Sequence, residues 1–188
     1  MKIGVYSGSF NPIHFGHIEL AKYLITSNLV DEVWLIVSPQ NPLKQQDCLA
    51  DDDLRLQMAK IAFENDPKIK VSDVEFHLPK PSYTIDTLNF LQKQYPQNQF
   101  FLLIGADNAA VFDKWKNYDE ILEKFNVLCY PRENFPQKSE IFPQIKFIDA
   151  PMINISSTEI RNRLQNNLPC DDLLPKKVLE VIEKSRQY

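Results

Sequence analysis

The sequence predicts an α/β fold in which helices flank a parallel β-sheet. Two almost uninterrupted apolar runs, at residues 32–38 and 99–104, are typical of strands buried on both faces. Stretches with helical periodicity separate these runs, as expected for strand–helix–strand units. The chain has 188 residues, of which 44% are apolar, so one domain spanning residues 1–188 can bury a substantial core.

The first half of the chain alternates between the two kinds of element. A strand at residues 2–6 runs into residues 7–12, which are rich in turn formers. The helix predicted at 15–27 has an apolar stripe at helical spacing. The helix predicted at 50–65 begins near three aspartates, whose charge the helix dipole favours there. Residues 69–74 alternate apolar and polar, which indicates a third strand.

The second half continues the pattern with shorter elements. Prolines break the chain before a helix predicted at 84–94. Two final helices, at 156–167 and 175–186, form a small helical C-terminal part. The shorter elements are helical pieces at 108–112 and 118–125 and strands at 127–130 and 146–149. Because ligands of such sheets bind beyond the carboxyl ends of the strands, the loops after the buried strands are the places to search for a site.

Composition excludes several classes of protein. The net charge of −4 argues against a protein that coats nucleic acids or anionic membranes. The longest apolar run, residues 100–106, is far too short to span a bilayer. The three cysteines have no CxxC spacing, which favours a reduced, cytoplasmic location.

The first loop has an unusual composition. Three of the four glycines and two of the three histidines fall within the first seventeen residues. Gly8, Ser9 and Phe10 form a strand-to-helix turn, where backbone N–H groups can hold phosphate. His14 and His17, three residues apart at a helix start, can both donate to phosphate oxygens. Two other interpretations are a turn glycine with capping histidines and a zinc-binding pair.

A second segment, Ile155-Ser-Ser-Thr-Glu-Ile-Arg161, opens the penultimate helix. Ser156 and Glu159 fit a capping box, which alone would explain both. The alternative is a polyphosphate site built from the consecutive hydroxyls of Ser156, Ser157 and Thr158, with Arg161 one turn further on. Spacing alone does not separate the two.

Three shorter segments supply weaker signals. Lys44 follows the second buried strand and is either a phosphate ligand or a solvated loop lysine. Gly105 permits close approach of a ligand, and Asp107 either binds ribose hydroxyls or caps a helix. Tyr83 and Trp115 line a ring pocket or belong to the core.

The joint order of these segments resembles the HxGH nucleotidyltransferase superfamily and, within it, the bacterial nicotinate-nucleotide adenylyltransferases. The resemblance covers the whole chain and rests on GSFNPIHFGH, the proline-bounded lysine, SYT, GAD with a following Trp, and ISSTEIR. It implies a Rossmann-like fold of the nucleotidyltransferase type. It also implies a reaction in which ATP and nicotinate mononucleotide give deamido-NAD and pyrophosphate.

The resemblance implies a role for each motif residue. The expected ATP-binding residues are Gly8, Ser9, Phe10, His14, His17, Gly105, Asp107, Ser156, Ser157, Thr158 and Arg161. The expected mononucleotide-binding residues are Asn41, Lys44, Tyr83, Thr84, Trp115 and Arg132. The expected catalytic residues are His14, His17, Lys44 and Arg161. Mg²⁺ is expected to arrive with ATP, held by phosphate and water without dedicated protein ligands.

Other functions compete with this one. The acceptor can be phosphopantetheine instead. It can also be nicotinamide mononucleotide, because the few backbone groups that tell a carboxylate from an amide leave no trace in the sequence. A non-catalytic nucleotide-binding sensor on the same fold is the alternative from another class. Interaction with nucleic acid or membrane is not expected, and a homo-oligomer is compatible with every one of these functions.

Overall fold

The computed structural model describes residues 1–39, 49–136, 142–185 and 187–188. Within these ranges the chain forms one six-stranded sheet in the order β3-β2-β1-β4-β5-β6. Every adjacent pair of strands is parallel, as predicted. The strands are β1 (Lys2–Gly8), β2 (Glu32–Val37), β3 (Ile69–Ser72), β4 (Gln99–Gly105), β5 (Asn126–Tyr130) and β6 (Ile145–Phe147).

Helices connect the strands and cover both faces of the sheet. None of those in the described ranges is long and apolar enough to cross a bilayer. The helices are α1 (Phe15–Thr26), α2 (Asp52–Ala62), α3 (Thr84–Gln94), α4 (Ala106–Ala109), α5 (Tyr118–Lys124), α6 (Ser157–Gln165) and α7 (Lys176–Ser185), with 3₁₀ turns at Val74–His77 and Phe112–Lys114.

Several predicted boundaries are wrong, among them the end of the helix predicted at 50–65, which lies at residue 62. The strand predicted at 69–74 ends at Ser72, because Val74 already belongs to a 3₁₀ turn. The helical piece predicted at 108–112 is α4, which starts at Ala106 directly after β4. The strand predicted at 146–149 is β6, which runs from Ile145 to Phe147. Each error is at an element boundary, where short-range pattern carries the least information.

Two hydrophobic clusters lie on opposite faces of the sheet. Successive side chains of β2 alternate between them, with Val33 and Leu35 in one cluster and Trp34 and Ile36 in the other. Both faces of this strand are therefore buried, which explains why its sequence is apolar without interruption. The first cluster includes side chains of α1, α2, α6 and α7, and the second includes side chains of α3 and α5.

The strand order places a topological switch point between β1 and β4. From β1 the sheet continues in one direction through β2 and β3, and in the other through β4, β5 and β6. Helices leaving two adjacent strands in opposite directions open a crevice at their carboxyl ends, where α/β proteins bind ligands. The ends of β1 and β4 carry Gly8 and Gly105, two residues of the predicted site.

Candidate active site

The loop between β1 and α1 is strained and tightly packed. Phe10 has φ 45°, a left-handed conformation that costs a bulky residue on the order of 1–3 kcal/mol. Its buried ring compensates by packing edge-on against Tyr6 and His17, with centroids 5.4 and 5.0 Å away. A Cβ at Gly8 would lie 3.1 Å from the Phe10 ring, so glycine permits this close approach. Strain of this kind is typical of a ligand-binding loop.

His14 and His17 stack, with ring centroids 3.6 Å apart. The His17 Nδ1 accepts a hydrogen bond from the His14 backbone N–H at 3.3 Å. In a neutral His17 the proton therefore lies on Nε2, which becomes the donor nitrogen. The two imidazoles therefore lie side by side at the start of α1.

His14 is almost fully buried, at 2% exposure. Burial and the nearby Arg132 guanidinium lower the pKa of His14 to about 3, so the ring is neutral at physiological pH. Its Nδ1 is buried and has no hydrogen-bond partner among the described residues. A buried polar atom without a hydrogen-bond partner indicates a site that a ligand completes.

The N-terminus of α6 contacts this loop directly. The Ser157 hydroxyl donates to the Pro12 carbonyl at 3.1 Å, and the Arg161 guanidinium donates to the Asn11 carbonyl at 2.9 Å. A Cβ on Gly16 would clash with Ile153, so glycine at this position lets the two segments meet. The histidine loop and the hydroxyl-rich helix start, far apart in sequence, therefore form one surface.

The capping interpretation of α6 is confirmed for Ser156. This residue is the N-cap, and its hydroxyl accepts from the Glu159 backbone N–H at 3.1 Å. The Glu159 carboxylate pairs instead with Arg163 at 2.8 Å. The Arg161 guanidinium also donates to the Thr158 hydroxyl at 3.2 Å, which holds its charge beside the first turn. Capping and phosphate binding are thus compatible, since they use different atoms.

The end of β4 supplies a second group of polar atoms. Gly105, and not Asp107, is the N-cap of α4, so the capping alternative for Asp107 is wrong. A Cβ on Gly105 would collide with the Asp107 carboxylate, which lies over it. The Asp107 Oδ1 and the Arg132 Nε are buried and lack hydrogen-bond partners in the described chain, although they lie only 3.8 Å apart.

Arg132 is held by Tyr130. Its guanidinium donates to the Tyr130 hydroxyl at 2.9 Å and lies 5.0 Å from the centroid of the same ring. The positive charge of Arg132 also lowers the pKa of His14, so Arg132 is near the histidine loop. It does not line the cavity that Tyr83 and Trp115 share. Its predicted contact with the mononucleotide therefore stays a prediction.

A cavity of about 150 Å³ lies at the carboxyl ends of the central strands. Three predicted mononucleotide residues, Tyr83, Thr84 and Trp115, line it together with Gly8 and Gly105. The Trp115 indole N–H is buried and finds no acceptor within the described ranges. We call this space the acceptor cavity.

Glu75 is a site residue that sequence reasoning missed. Its carboxylate is 3% exposed, lines the acceptor cavity and accepts hydrogen bonds from Ser7 at 3.1 Å, Ser82 at 3.1 Å and Thr87 at 3.0 Å. These bonds join the end of β1 to the start of α3. A single Glu between a strand and a proline-rich loop carries no spacing signal that would have identified it.

Arg55 was missed as well. Its fully buried guanidinium donates to the Ser38 carbonyl at 2.8 Å, the Ala50 carbonyl at 3.0 Å and the Ser9 carbonyl, and it pairs with Asp52. It therefore ties the first loop to the end of β2. The available signal was a charged residue at a core-facing position of an amphipathic helix, which is the position of Arg55.

Two predicted residues, Asn41 and Lys44, lie outside the described residues, so their roles remain predictions. Within the described ranges, no group of three or more His, Cys, Asp or Glu side chains is arranged to hold a metal ion. The polar groups that meet where the histidine loop contacts the start of α6 are imidazoles, hydroxyls and a guanidinium group. This donor set suits phosphate oxygens better than a metal.

A family model described as cytidylyltransferase-like matches residues 5–163. The chain belongs to the cytidylyltransferase-like family. Two relatives with the same name illustrate its place in this family. A probable nicotinate-nucleotide adenylyltransferase of Flavobacterium johnsoniae is 46% identical over 193 residues, covering 100% of this chain and 99% of its own. One of Bacteroides fragilis is 50% identical over 164 residues, covering 87% and 82%.

Solved structures agree on the fold. A nicotinic acid mononucleotide adenylyltransferase of Plasmodium falciparum complexed with NaAD matches with a TM-score of 0.82 at 22% identity, over 98% of this chain and 95% of its own. A putative nicotinate-nucleotide adenylyltransferase of Vibrio parahaemolyticus matches with a TM-score of 0.73 at 24% identity, over 96% and 97%. The motif-based family resemblance and the predicted Rossmann-like nucleotidyltransferase fold are confirmed.

Proposed function

We propose that this cytidylyltransferase-like protein transfers the adenylyl group of ATP to nicotinate mononucleotide. A phosphate oxygen of the mononucleotide bonds to the α-phosphorus of ATP, the bond to the bridging α–β oxygen breaks, and pyrophosphate leaves. The product is deamido-NAD, so the reaction is a step of NAD biosynthesis. The supporting observation is the contact of the α6 N-terminus with the histidine loop, through Arg161 and Ser157.

The reaction needs no protein base. The second pKa of a phosphate monoester is about 6, so the attacking oxygen is already largely ionised at neutral pH. The protein has to align the two phosphates and stabilise the charge that develops between them. A crevice of hydrogen-bond donors held in place before the substrates bind meets both requirements.

The phosphate side is assigned to the loop and the helix start. We place the α- and β-phosphates of ATP against Gly8, Ser9, Phe10 and the two imidazoles. His17 would donate from Nε2 to an oxygen whose charge grows during transfer, since its Nδ1 already accepts from the backbone. His14 acts as a neutral donor, because its ring does not carry a proton charge near pH 7.

The outer phosphates are assigned to α6. Ser156, Ser157, Thr158 and Arg161 combine hydroxyls, a guanidinium and the positive end of a helix dipole, which together suit a polyphosphate. Gly105 and Asp107 would contact the adenosine, where the Asp107 Oδ1, which has no hydrogen-bond partner among the described residues, can accept from a ribose hydroxyl.

The acceptor side is assigned to the cavity. Tyr83, Thr84 and Trp115 would surround the mononucleotide, with Asn41, Lys44 and Arg132 as further ligands of its phosphate or ring. Lys44 would neutralise the charge of the attacking or transferred phosphate.

Mg²⁺ belongs to the substrate in this proposal. It would enter bound to ATP oxygens and water and neutralise phosphate charge there. The free, buried thiols of Cys129 and Cys170 favour a cytoplasmic location, where thiols stay reduced. Residues 1–188 would act as one domain.

The direct test measures pyrophosphate release with ATP and Mg²⁺. Nicotinate mononucleotide, nicotinamide mononucleotide and phosphopantetheine are supplied in parallel. We expect release with nicotinate mononucleotide and a lower kcat/KM with the other two. Release with none of them would refute the proposal and favour a nucleotide-binding sensor. Faster release with phosphopantetheine would assign the protein to another transferase.

A further inference from the structure

The buried part of the acceptor cavity contains a negative charge. Glu75 is 3% exposed, whereas the lysines that line the same cavity, Lys114 and Lys116, are exposed. Among the described residues no Lys, Arg or His forms an ion pair with Glu75. Taking a carboxylate out of water without a counter-charge is costly. The described part of the cavity therefore offers Glu75 no counter-charge at its buried end.

The hydroxyls around Glu75 all point their protons at it. Ser7, Ser82 and Thr87 each have a single O–H, and each donates it to the carboxylate. The Ser7 oxygen lies 3.0 Å from that of Ser38, and because the Ser7 proton is already used, Ser38 is the donor of this pair. This wall therefore presents lone pairs and negative charge to the cavity.

Lys116, at the exposed end, is engaged by other groups than Glu75. Lys116 pairs with Asp86 at 2.9 Å and lies 4.5 Å from the centroid of the Tyr83 ring. The cavity is thus negative where it is buried and carries cations where it is open. A ligand with a positive ring and negative substituents has the complementary charge distribution.

The size and the aromatic lining match such a ring. A cavity of about 150 Å³ has the volume that holds one benzene-sized ring in other proteins. Tyr83 and Trp115 line it, and the faces of such rings attract cations. The pyridine ring of a nicotinate mononucleotide carries a positive charge on its quaternary nitrogen.

We propose that Glu75 is the counter-charge of the acceptor's pyridinium ring and thereby determines specificity for pyridinium nucleotides. The inference rests on the proposed function and specifies which chemical feature of the acceptor is recognised. A neutral acceptor would leave Glu75 buried without a counter-charge. It would bind more weakly even if its shape were the same.

The test compares nicotinate mononucleotide with its carbon isostere, 3-carboxyphenyl C-riboside 5′-phosphate, whose ring has the same shape and no charge. Titration calorimetry without ATP gives both dissociation constants. We expect the wild-type protein to bind the pyridinium form about tenfold more tightly. Glu75→Gln retains the size and the acceptor oxygen but loses the charge, so the two constants should become nearly equal.

Thr87→Val is the matched control. It removes one hydrogen bond to Glu75 from a buried residue that does not line the cavity, and it leaves the charge in place. If Glu75 only held the loops together, both variants would weaken both ligands equally. An unchanged ratio in Glu75→Gln would overturn the proposal.

The wild-type ratio provides a second check that needs no variant. If Glu75→Gln fails to fold, a wild-type ratio near one still rejects the inference. The ratio is independent of catalysis. A protein that prefers the pyridinium form but releases no pyrophosphate would contradict the proposed function alone.

Discussion

The phosphate side and the acceptor side of the crevice are built in different ways. On the phosphate side, two short motifs meet through side chains that donate to backbone carbonyls, as Ser157 and Arg161 do to the first loop. On the acceptor side, one buried carboxylate accepts hydrogen bonds from hydroxyls of two separate segments, the end of β1 and the start of α3. The first arrangement leaves a recognisable sequence pattern, and the second leaves none.

The difference follows from what each side has to bind. Phosphate is recognised by many donors, and a loop leading into a helix supplies several of them in consecutive residues. A flat ring is recognised by shape, aromatic faces and a single charge, which can come from any part of the chain that the fold brings near. Variants on the two sides should accordingly affect different parameters.

The largest expected effect is on catalysis. His17→Ala should lower kcat by about 10²-fold or more, because it removes a preorganised donor to the developing charge. Its melting temperature should stay close to that of the wild type. His77→Ala is the matched control, since His77 is exposed and pairs with Asp73 at 3.7 Å, away from the crevice. Near-normal turnover by a folded His17→Ala protein would remove this residue from the mechanism.

A large effect on stability is expected at Arg55, which ties the first loop to the end of β2. Arg55→Met should reduce the free energy of unfolding by about 3–5 kcal/mol, because it leaves buried carbonyls and Asp52 without their partner. Urea denaturation measures this. Lys60→Met, on the exposed face of the same helix, should change the value by less than about 0.5 kcal/mol. Equal effects at the two positions would contradict the assigned role.

A smaller effect is expected at the start of α6. Arg161→Ala should lower kcat/KM for ATP by about 10- to 100-fold, the loss expected for a hydrogen bond to a charged group. The KM of the acceptor should change little, because Arg161 lies on the phosphate side. Arg163→Ala is the control on the same helix, where the guanidinium pairs with Glu159 and Asp172. If both variants lost ATP affinity equally, the helix and not the residue would be responsible.

A further effect on stability depends on pH. The pKa of His14 is lowered to about 3, so between pH 6.5 and 3 the unfolded chain binds a proton there that the folded chain does not. This component of stability is present above the ordinary histidine pKa and is lost as the pH falls, by up to about 1.4 kcal/mol per pH unit. Urea denaturation of wild type and His14→Asn across this range should show a stability difference that depends on pH. Parallel curves would exclude a neutral, buried His14.

Part of this architecture could be predicted from short-range patterns. The apolar runs of β2 and β4 predicted buried parallel strands, and the HxGH and ISSTEIR segments predicted a shared phosphate site, because each of these signals is complete within about ten residues. The roles of Glu75 and Arg55 could not be predicted in this way. Each depends on partners contributed by several elements, which no local spacing connects.

The amino-acid sequence alone determined the fold class, the family and which motif residues contact phosphate in our proposal, since periodicity and motif order are properties of the linear chain. Only the tertiary structure decided that His14 is buried and neutral, that Gly105 rather than Asp107 caps α4, and that a buried carboxylate borders the acceptor cavity. Burial and charge compensation arise from neighbours in space, and a linear pattern contains no information about neighbours that are distant in sequence.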